Sequence, residues 1–317
     1  MISFFVGFLV LIWWCANEIC HPSKRPVRAK AAAYFDGSAG AGFSIDRFVS
    51  EGGMPCLVCT PVPVEKFSER AAILRDQVSE RGFVLKPPGE FVGTILILHG
   101  RRGRKENYLP VAERFCAVGF RCVIPDLPGH GENPEKYATY GVNEGEMVLK
   151  CYQECAKEFG FKEQPCGVFG QSMGGSVAVH TAAMEGAPFQ SMVILASFDK
   201  LENVIRHQTN GMMGPIFGPA IRVPADYAVG WMSGVKISDI RPAAFGPRIT
   251  IPTLFAHGDA DNKVPASAGR GLYESFPEDS GKRWLSVPGA DHNDVMITDF
   301  PLYAEIAEWF LKDLTQP

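Results

Sequence analysis

The stretch Gly167-Val168-Phe169-Gly170-Gln171-Ser172-Met173-Gly174-Gly175 determines the fold that we predict for this chain of 317 residues. A short apolar run precedes the pattern G-x-S-x-G, at a place where a buried strand is expected to end and a helix to begin. A serine on such a sharp turn is held out of the sheet as a nucleophile. The flanking glycines allow the close backbone approach that the turn requires. We therefore predict that Ser172 is a nucleophile.

Two downstream motifs contain the groups that would activate this serine. Residues 255–265 read FAHGDADNKVP after a strand-like run, and residues 287–294 read VPGADHND near the end of the chain. A serine hydroxyl is a weak nucleophile that needs a base within reach and a third group to orient that base. We predict His292 as the base and Asp261 as the orienting acid, with Asp259 as the alternative acid.

Two upstream motifs complete the pattern. Residues 94–100 read TILILHG, and residues 122–131 read CVIPDLPGHG. Over residues 43–315 the five motifs, taken in their order along the chain, resemble those of the α/β-hydrolase superfamily. The chain is similar to the esterase and monoglyceride-lipase-like members of that superfamily. The resemblance implies an α/β fold with a mostly parallel central sheet, flanking helices and a lid insertion.

The resemblance also implies an oxyanion hole built from two backbone N–H groups. One is that of Met173, directly after the nucleophile, and the other is that of Arg101, directly after the His-Gly pair. Arg102 is the alternative donor, because this loop reads HGRRG instead of the lipase-like HGGG.

Apolar periodicity predicts a regular alternation of strands and helices, which favours right-handed crossovers and a parallel sheet. The predicted strands are 43–49, 55–61, 94–98, 121–124, 166–169, 192–196, 253–256 and 283–287. The predicted helices are 65–81, 108–118, 144–159, 172–184, 266–276 and 302–314.

Residues 199–249 interrupt this alternation and are predicted to form the lid. The segment is rich in Gly, Pro and large apolar side chains. We predict that Met212, Met213, Phe217 and Trp231 line an acyl pocket, since methionine adapts to varied apolar ligands. The alternative is that this apolar face packs on the domain.

Composition excludes some partners. The chain has 31 basic and 35 acidic residues, a net charge of −4, which gives no support for nucleic-acid binding. It shows no phosphate-binding or dinucleotide-binding glycine motif, so we predict no cofactor and no metal, and a small-molecule acyl substrate. The nine cysteines are predicted to be free, mostly buried thiols, and Cys56 and Cys59 would face opposite sides of a strand.

Residues 2–16 are almost wholly apolar and include Trp13 and Trp14, and an anchor over residues 1–20 would place Asn17 and Glu18 near the membrane interface. We predict a membrane anchor, followed by a linker at residues 21–42 and the hydrolase domain at residues 43–317. The basic residues after the anchor would keep the catalytic domain cytoplasmic. The alternative is a signal segment that is cleaved, which would make the protein secreted.

These observations predict a serine hydrolase of the carboxylesterase or lipase type, which cleaves lipid-like esters or thioesters through an acyl-enzyme. A serine peptidase or amidase would use the same three side chains and differ in its pocket. A non-catalytic binding protein on the same fold is the third hypothesis. The sequence leaves the oligomeric state open.

Overall fold

The structure is a computed structural model that describes residues 2–298 and 300–315. One sheet forms its centre, and its strand order is β1-β2-β4-β3-β5-β6-β7-β8. Its strands are β1 (Phe43–Val49), β2 (Pro55–Pro61), β3 (Gly93–Leu98), β4 (Phe120–Pro125), β5 (Cys166–Gln171), β6 (Phe189–Leu195), β7 (Thr253–Gly258) and β8 (Arg283–Val287).

Strands β3 to β8 run parallel to one another, whereas β2 is antiparallel to both β1 and β4. Strands β3 and β4 are buried along their whole length, because helices cover both faces of the sheet. Apolar runs without alternation are typical of such strands. The predicted fold class, a mostly parallel sheet flanked by helices, is confirmed.

Helices form a layer on each face of the sheet. They are α1 (Ile2–Cys20), α2 (Ala29–Gly37), α3 (Glu69–Glu80), α4 (Leu109–Ala117), α5 (Glu144–Glu158), α6 (Met173–Ala182), α7 (Leu201–Ser233), α8 (Ala266–Glu274) and α9 (Leu302–Leu314). One core contains side chains of α1, α5, α6, α7 and α8, and the other contains those of α3, α4 and α9. Cys56 lies in the first core and Cys59 in the second, as the alternation of β2 requires.

The predicted elements agree with the structure apart from their ends, and local chemistry explains two of the differences. Helix α3 begins at Glu69, later than predicted, because the Ser68 hydroxyl caps it by accepting a hydrogen bond from the Ala71 N–H. Helix α6 begins at Met173 because Ser172 has a positive φ of 54°, which no helical residue adopts.

The insertion between β6 and β7 contains the long helix α7. It is kinked at Gly214, which has φ 76° and ψ 166° and is followed by Pro215. Proline removes a helical hydrogen bond and glycine tolerates the positive φ, so the pair allows the break. Helix α7 contacts α1 on the same side of the sheet.

The predicted membrane anchor at residues 1–20 is wrong. No helix in the described part of the chain combines the length and the apolar character that a membrane crossing requires. Instead, Ile12, Ala16 and Cys20, spaced four residues apart on α1, are buried. Ala16 and Cys20 belong to the same core as Val229 of α7. The predicted contact with a membrane through this segment is wrong for the same reason. The cytoplasmic orientation of the catalytic domain was deduced from the anchor and loses its basis.

The segment predicted as a linker, residues 21–42, contains the helix α2. The Tyr34 hydroxyl on this helix donates a 2.5 Å hydrogen bond to the Glu113 carboxylate of α4. Ala31 is buried. The segment therefore packs on the domain that follows it.

A buried charged cluster joins the loops that follow β3 and β4. Asp126 accepts hydrogen bonds of 2.8 Å from both the backbone N–H and the Nζ of Lys105. The same Nζ lies 2.9 Å from Glu106 and 2.6 Å from Glu132. Burial lowers the pKa of Lys105, but the facing carboxylates raise it more, and the pKa ends above its usual value. The ammonium group therefore stays charged and ties the two loops together.

Lys105→Met should destabilise the protein by about 3–5 kcal/mol, because it leaves the Asp126 carboxylate buried without its cation. Urea unfolding followed by circular dichroism measures this loss. The matched control is Lys150→Met, which breaks the exposed pair with Glu146 and should change stability by less than about 0.5 kcal/mol. Equal losses in the two variants would contradict the role given to Lys105.

Candidate active site

The turn between β5 and α6 is forced by close backbone packing around Ser172. A Cβ atom added at Gly174 would lie 2.1 Å from the Leu98 carbonyl oxygen, and one added at Gly170 would lie 2.3 Å from the Gly174 oxygen. Only glycine fits at these two places. The Ser172 N–H donates to the Leu195 carbonyl at 2.8 Å, which fixes the turn against β6. The strained backbone of Ser172 is thus imposed by its neighbours.

The structure brings together the three side chains predicted to form the triad. His292 Nε2 lies 3.0 Å from Ser172 Oγ, and His292 Nδ1 lies 2.7 Å from Asp261 Oδ2. The Asp261 side chain is fully buried, and that of His292 is 14% exposed. Because β5, β7 and β8 are parallel, the loops after their carboxyl ends meet at one edge of the sheet.

The environment of Asp261 keeps it ionised. Burial alone would raise its pKa, but hydrogen bonds from His257 and His292 outweigh burial and hold the pKa of Asp261 well below its usual range. Its other oxygen accepts from the N–H groups of Lys263 at 3.0 Å and Val264 at 2.9 Å. A carboxylate held in this way can orient the imidazole of His292 and stabilise its protonated form.

Asp259, the alternative acid, has a different contact. Its Oδ1 accepts a 2.7 Å hydrogen bond from the Gly289 N–H, which links the turns after β7 and β8. The carboxylate that meets the His292 ring is that of Asp261.

The predicted oxyanion donors lie on two segments that flank Ser172. A Cβ at Gly100 would lie 3.4 Å from Ser172 Cβ, so the loop carrying Arg101 runs directly past the nucleophile. The Gly103 N–H closes a turn onto the Gly100 carbonyl at 2.9 Å, with Arg102 at a φ of 62°. Met173 is the first residue of α6, and its N–H therefore has no carbonyl partner within that helix.

Tyr108 joins these two segments, a contact that the sequence motifs did not reveal. Its hydroxyl donates a 2.6 Å hydrogen bond to the Gln171 side chain, next to the nucleophile. It also accepts from the Gly100 N–H at 3.4 Å. One buried side chain thus connects the oxyanion loop to the turn at Ser172.

The end of α1 also contacts the oxyanion loop. Arg102 Nη2 donates to the Glu18 carboxylate at 2.5 Å, and Arg101 Nη2 donates to the Glu18 backbone carbonyl. The Tyr140 hydroxyl donates to the Ile19 carbonyl at 2.8 Å. Glu18, an acidic residue directly after an apolar stretch, is the sequence signal for this contact, and the prediction of an anchor places it at a membrane interface instead.

His99 and His130 form part of the framework. Burial lowers the pKa of His99 to about 4 and that of His130 to about 3, so both rings are neutral at pH 7. His99 Nε2 accepts from the Leu127 N–H at 3.0 Å, and the two rings are 4.9 Å apart. Among the residues that the structure describes, the ring that hydrogen-bonds to the Ser172 hydroxyl is that of His292, not that of His99 or His130.

The four predicted pocket residues, Met212, Met213, Phe217 and Trp231, lie on α7 with exposed side chains. The same helix reaches the loop that carries the acid, where His207 Nε2 lies 3.1 Å from the Asn262 carbonyl and Gln208 donates to the Lys263 carbonyl at 3.2 Å. The structure therefore places the first part of α7 beside the loop that carries Asp261, and the role of the apolar side chains of α7 stays a prediction.

Comparisons with known proteins find hydrolases among the proteins that are similar to this chain. The sequence model of a family described as serine aminopeptidase, S33, matches residues 89–234. YqkD of Bacillus subtilis is 25% identical over 190 residues, which cover 59% of this chain and 61% of YqkD. Protein phosphatase methylesterase 1 of Mus musculus is 28% identical over 192 residues, which cover 57% of this chain and 47% of the methylesterase.

Solved structures extend the likeness to nearly the whole chain. The esterase Pf2001 of Pyrococcus furiosus has a TM-score of 0.63 and 16% identity, and the match covers 93% of this chain and all of the esterase chain. The chain has the α/β-hydrolase fold. An acylaminoacyl peptidase of Pyrococcus horikoshii also matches this chain, with a TM-score of 0.60 and 14% identity over 92% of this chain and 45% of the peptidase. Esterases and peptidases are thus both among its structural neighbours.

Glu18→Ala should loosen the oxyanion loop of this hydrolase, because Arg101 and Arg102 lose their shared carboxylate. We expect amide hydrogen exchange in residues 100–104 to accelerate about tenfold, measured by mass spectrometry. The matched control is Asn17→Ala, one residue earlier on α1, where the side chain contacts His21 instead of the loop. Unchanged exchange in the Glu18 variant would show that α1 does not support the loop.

Proposed function

We propose that this α/β-hydrolase is a serine esterase that cleaves carboxylic esters of acyl groups through an acyl-enzyme on Ser172. The observation that carries the proposal is the continuous line of hydrogen bonds from the Ser172 hydroxyl through His292 to the buried Asp261 carboxylate. Nucleophile, base and orienting acid have the order and distances that acyl transfer requires.

The first half of the reaction forms the acyl-enzyme. His292 Nε2 takes the Ser172 proton as Oγ attacks the ester carbonyl carbon, and the carbonyl oxygen becomes an oxyanion. The N–H groups of Met173 and Arg101 donate to that oxygen, and each such donor contributes about 3 kcal/mol. The amino-terminal end of α6 adds a partial positive charge beside the same oxygen. His292 then gives its proton to the leaving alcohol as the carbon–oxygen bond breaks.

The second half releases the acid. A water molecule takes the place of the alcohol, His292 removes its proton, and the hydroxide attacks the acyl carbon. Collapse of the second tetrahedral intermediate returns the proton to Ser172 Oγ and frees the carboxylic acid. Asp261 stays ionised throughout and holds the imidazole through Nδ1.

The side chains of α7 favour an ester of an acyl chain as the substrate. The apolar side chains Met212, Met213, Phe217 and Trp231 on α7 suit an acyl chain, and we include them in the proposal as its contacts.

A peptidase or amidase is the second candidate. Its support is the match to the serine aminopeptidase family and the acylaminoacyl peptidase neighbour. The chemistry at Ser172 would be the same, and His292 would protonate an amine instead of an alcohol. The substrate assay below separates the two candidates.

A fluorophosphonate probe should label the purified protein, and Ser172→Ala should abolish labelling. Turnover of p-nitrophenyl esters of two to twelve carbons should exceed turnover of aminoacyl p-nitroanilides by at least about a hundredfold. Faster cleavage of the anilides would favour the peptidase. Absence of labelling in the parent protein would favour a non-catalytic binding protein.

Asp261→Asn should lower kcat by about 10⁴-fold, because the amide cannot hold the required tautomer of His292. The measurement is ester hydrolysis, with circular dichroism to show that the fold is retained. Asp259→Asn is the matched control, two residues away, and should cost less than about tenfold because its contact is with the Gly289 N–H. Greater damage from the Asp259 variant would assign the acid to the other residue.

A further inference from the structure

Three cysteine thiols converge between β2 and α5, away from the catalytic serine. Cys56 lies on β2, and Cys151 and Cys155 lie one turn apart on α5. Their sulfur atoms all lie within 4.8 Å of one another. Cys56 Sγ is 3.2 Å from Cys155 Sγ, although 99 residues separate them in sequence. All three are buried.

This convergence differs from ordinary packing of buried thiols. Within residues 2–298 and 300–315, no other group of three or more His, Cys, Asp or Glu side chains is arranged to hold a metal ion. The cysteines on the opposite face provide a contrast, because the Cys116 thiol is directed at the Cys59 carbonyl oxygen, 3.7 Å away. A single thiol fills space as a small apolar group, but three sulfurs within 4.8 Å of one another can act as a set of metal ligands.

The sulfur spacing suits three-coordinate binding. A metal ion bonded to three thiolates at about 2.3 Å in one plane requires sulfurs about 4 Å apart. The observed distances, from 3.2 Å to at most 4.8 Å, lie on both sides of that value, so small side-chain rotations suffice. A disulfide between Cys56 and Cys155 would require a sulfur separation of about 2.05 Å and would leave Cys151 unused.

The absence of a fourth ligand among these side chains selects the ion. Structural zinc sites are almost always tetrahedral with four protein ligands. Thiolates are soft ligands that prefer Cu(I) among the biological metals, and Cu(I) accepts three-coordination. We propose that Cys56, Cys151 and Cys155 form a three-thiolate site for Cu(I), separate from the catalytic site.

The surrounding structure gives the site an entrance and a consequence. The turn from Ser50 to Met54 joins β1 to β2, its residue Glu51 is exposed, and the Glu51 N–H donates to the Glu154 carboxylate of α5 at 2.7 Å. Opening this turn would admit the ion, and each thiol that binds would release its proton to solvent. Bound Cu(I) would join the antiparallel strand β2 to α5 and stabilise the fold.

The test uses the full-length protein, reduced and kept without oxygen, titrated with Cu(I) against a chromophoric Cu(I) chelator. We expect one tightly held equivalent, a sulfur-to-copper charge-transfer band in the ultraviolet, and a raised Tm. X-ray absorption should show three sulfurs at about 2.3 Å. The proposal would be overturned if the parent protein failed to compete with the chelator. It would also be overturned if X-ray absorption showed only two sulfurs bound to copper.

Variants locate the site. Cys56→Ser and Cys155→Ala should each weaken Cu(I) binding at least about a hundredfold, whereas Cys116→Ser, a buried thiol on the opposite face, should keep the tight equivalent. If Cys56→Ser does not fold, Cys155→Ala and the X-ray absorption spectrum of the parent protein still test the proposal. Retained binding in both cluster variants would assign copper to other thiols. Tighter binding of Zn²⁺ than of Cu(I) would contradict the assignment of the site to three-coordinate Cu(I).

Discussion

The close approach of α6 to the end of β3 is the constraint on which the site depends. Gly174 packs directly against the Leu98 carbonyl oxygen, and this contact leaves no room for a Cβ atom. The chain must therefore turn sharply at Ser172, with a positive φ that an isolated serine avoids. The same contact brings the loop after β3 past Ser172. Ser172 and the loop that carries Arg101 are thus positioned by one packing event.

The supports around this turn come from distant parts of the chain. Tyr108 connects the oxyanion loop to Gln171, and Glu18 holds the two arginines of that loop from α1. The buried Lys105–Asp126 pair fixes the following loop to the end of β4. The Lys105–Asp126 pair combines burial with charge, whereas the pairs of Glu18 with Arg101 and Arg102 are partly exposed. The N-terminal helix is therefore part of the framework around the site.

Much of the fold could be predicted from local pattern. Four of the predicted elements, at 43–49, 55–61, 283–287 and 302–314, have the bounds found in the structure, because each is delimited by Gly, Pro or a change of apolar period. The order of nucleophile, acid and histidine along the chain indicated the superfamily. The apolar stretch at residues 2–16 led to the wrong prediction of a membrane anchor. Apolar composition alone does not distinguish a helix that crosses a membrane from one that packs on α7.

The sequence by itself determined the parallel sheet, the strained serine and the identity of the residues that meet it, because each of these follows from short-range pattern and motif order. Only the tertiary structure decided which distant groups touch. Glu18 reaches the oxyanion loop, and Cys56 meets Cys155 across 99 residues. Such contacts depend on how helices pack on the sheet, and packing is a property of the whole assembled chain that no local spacing encodes.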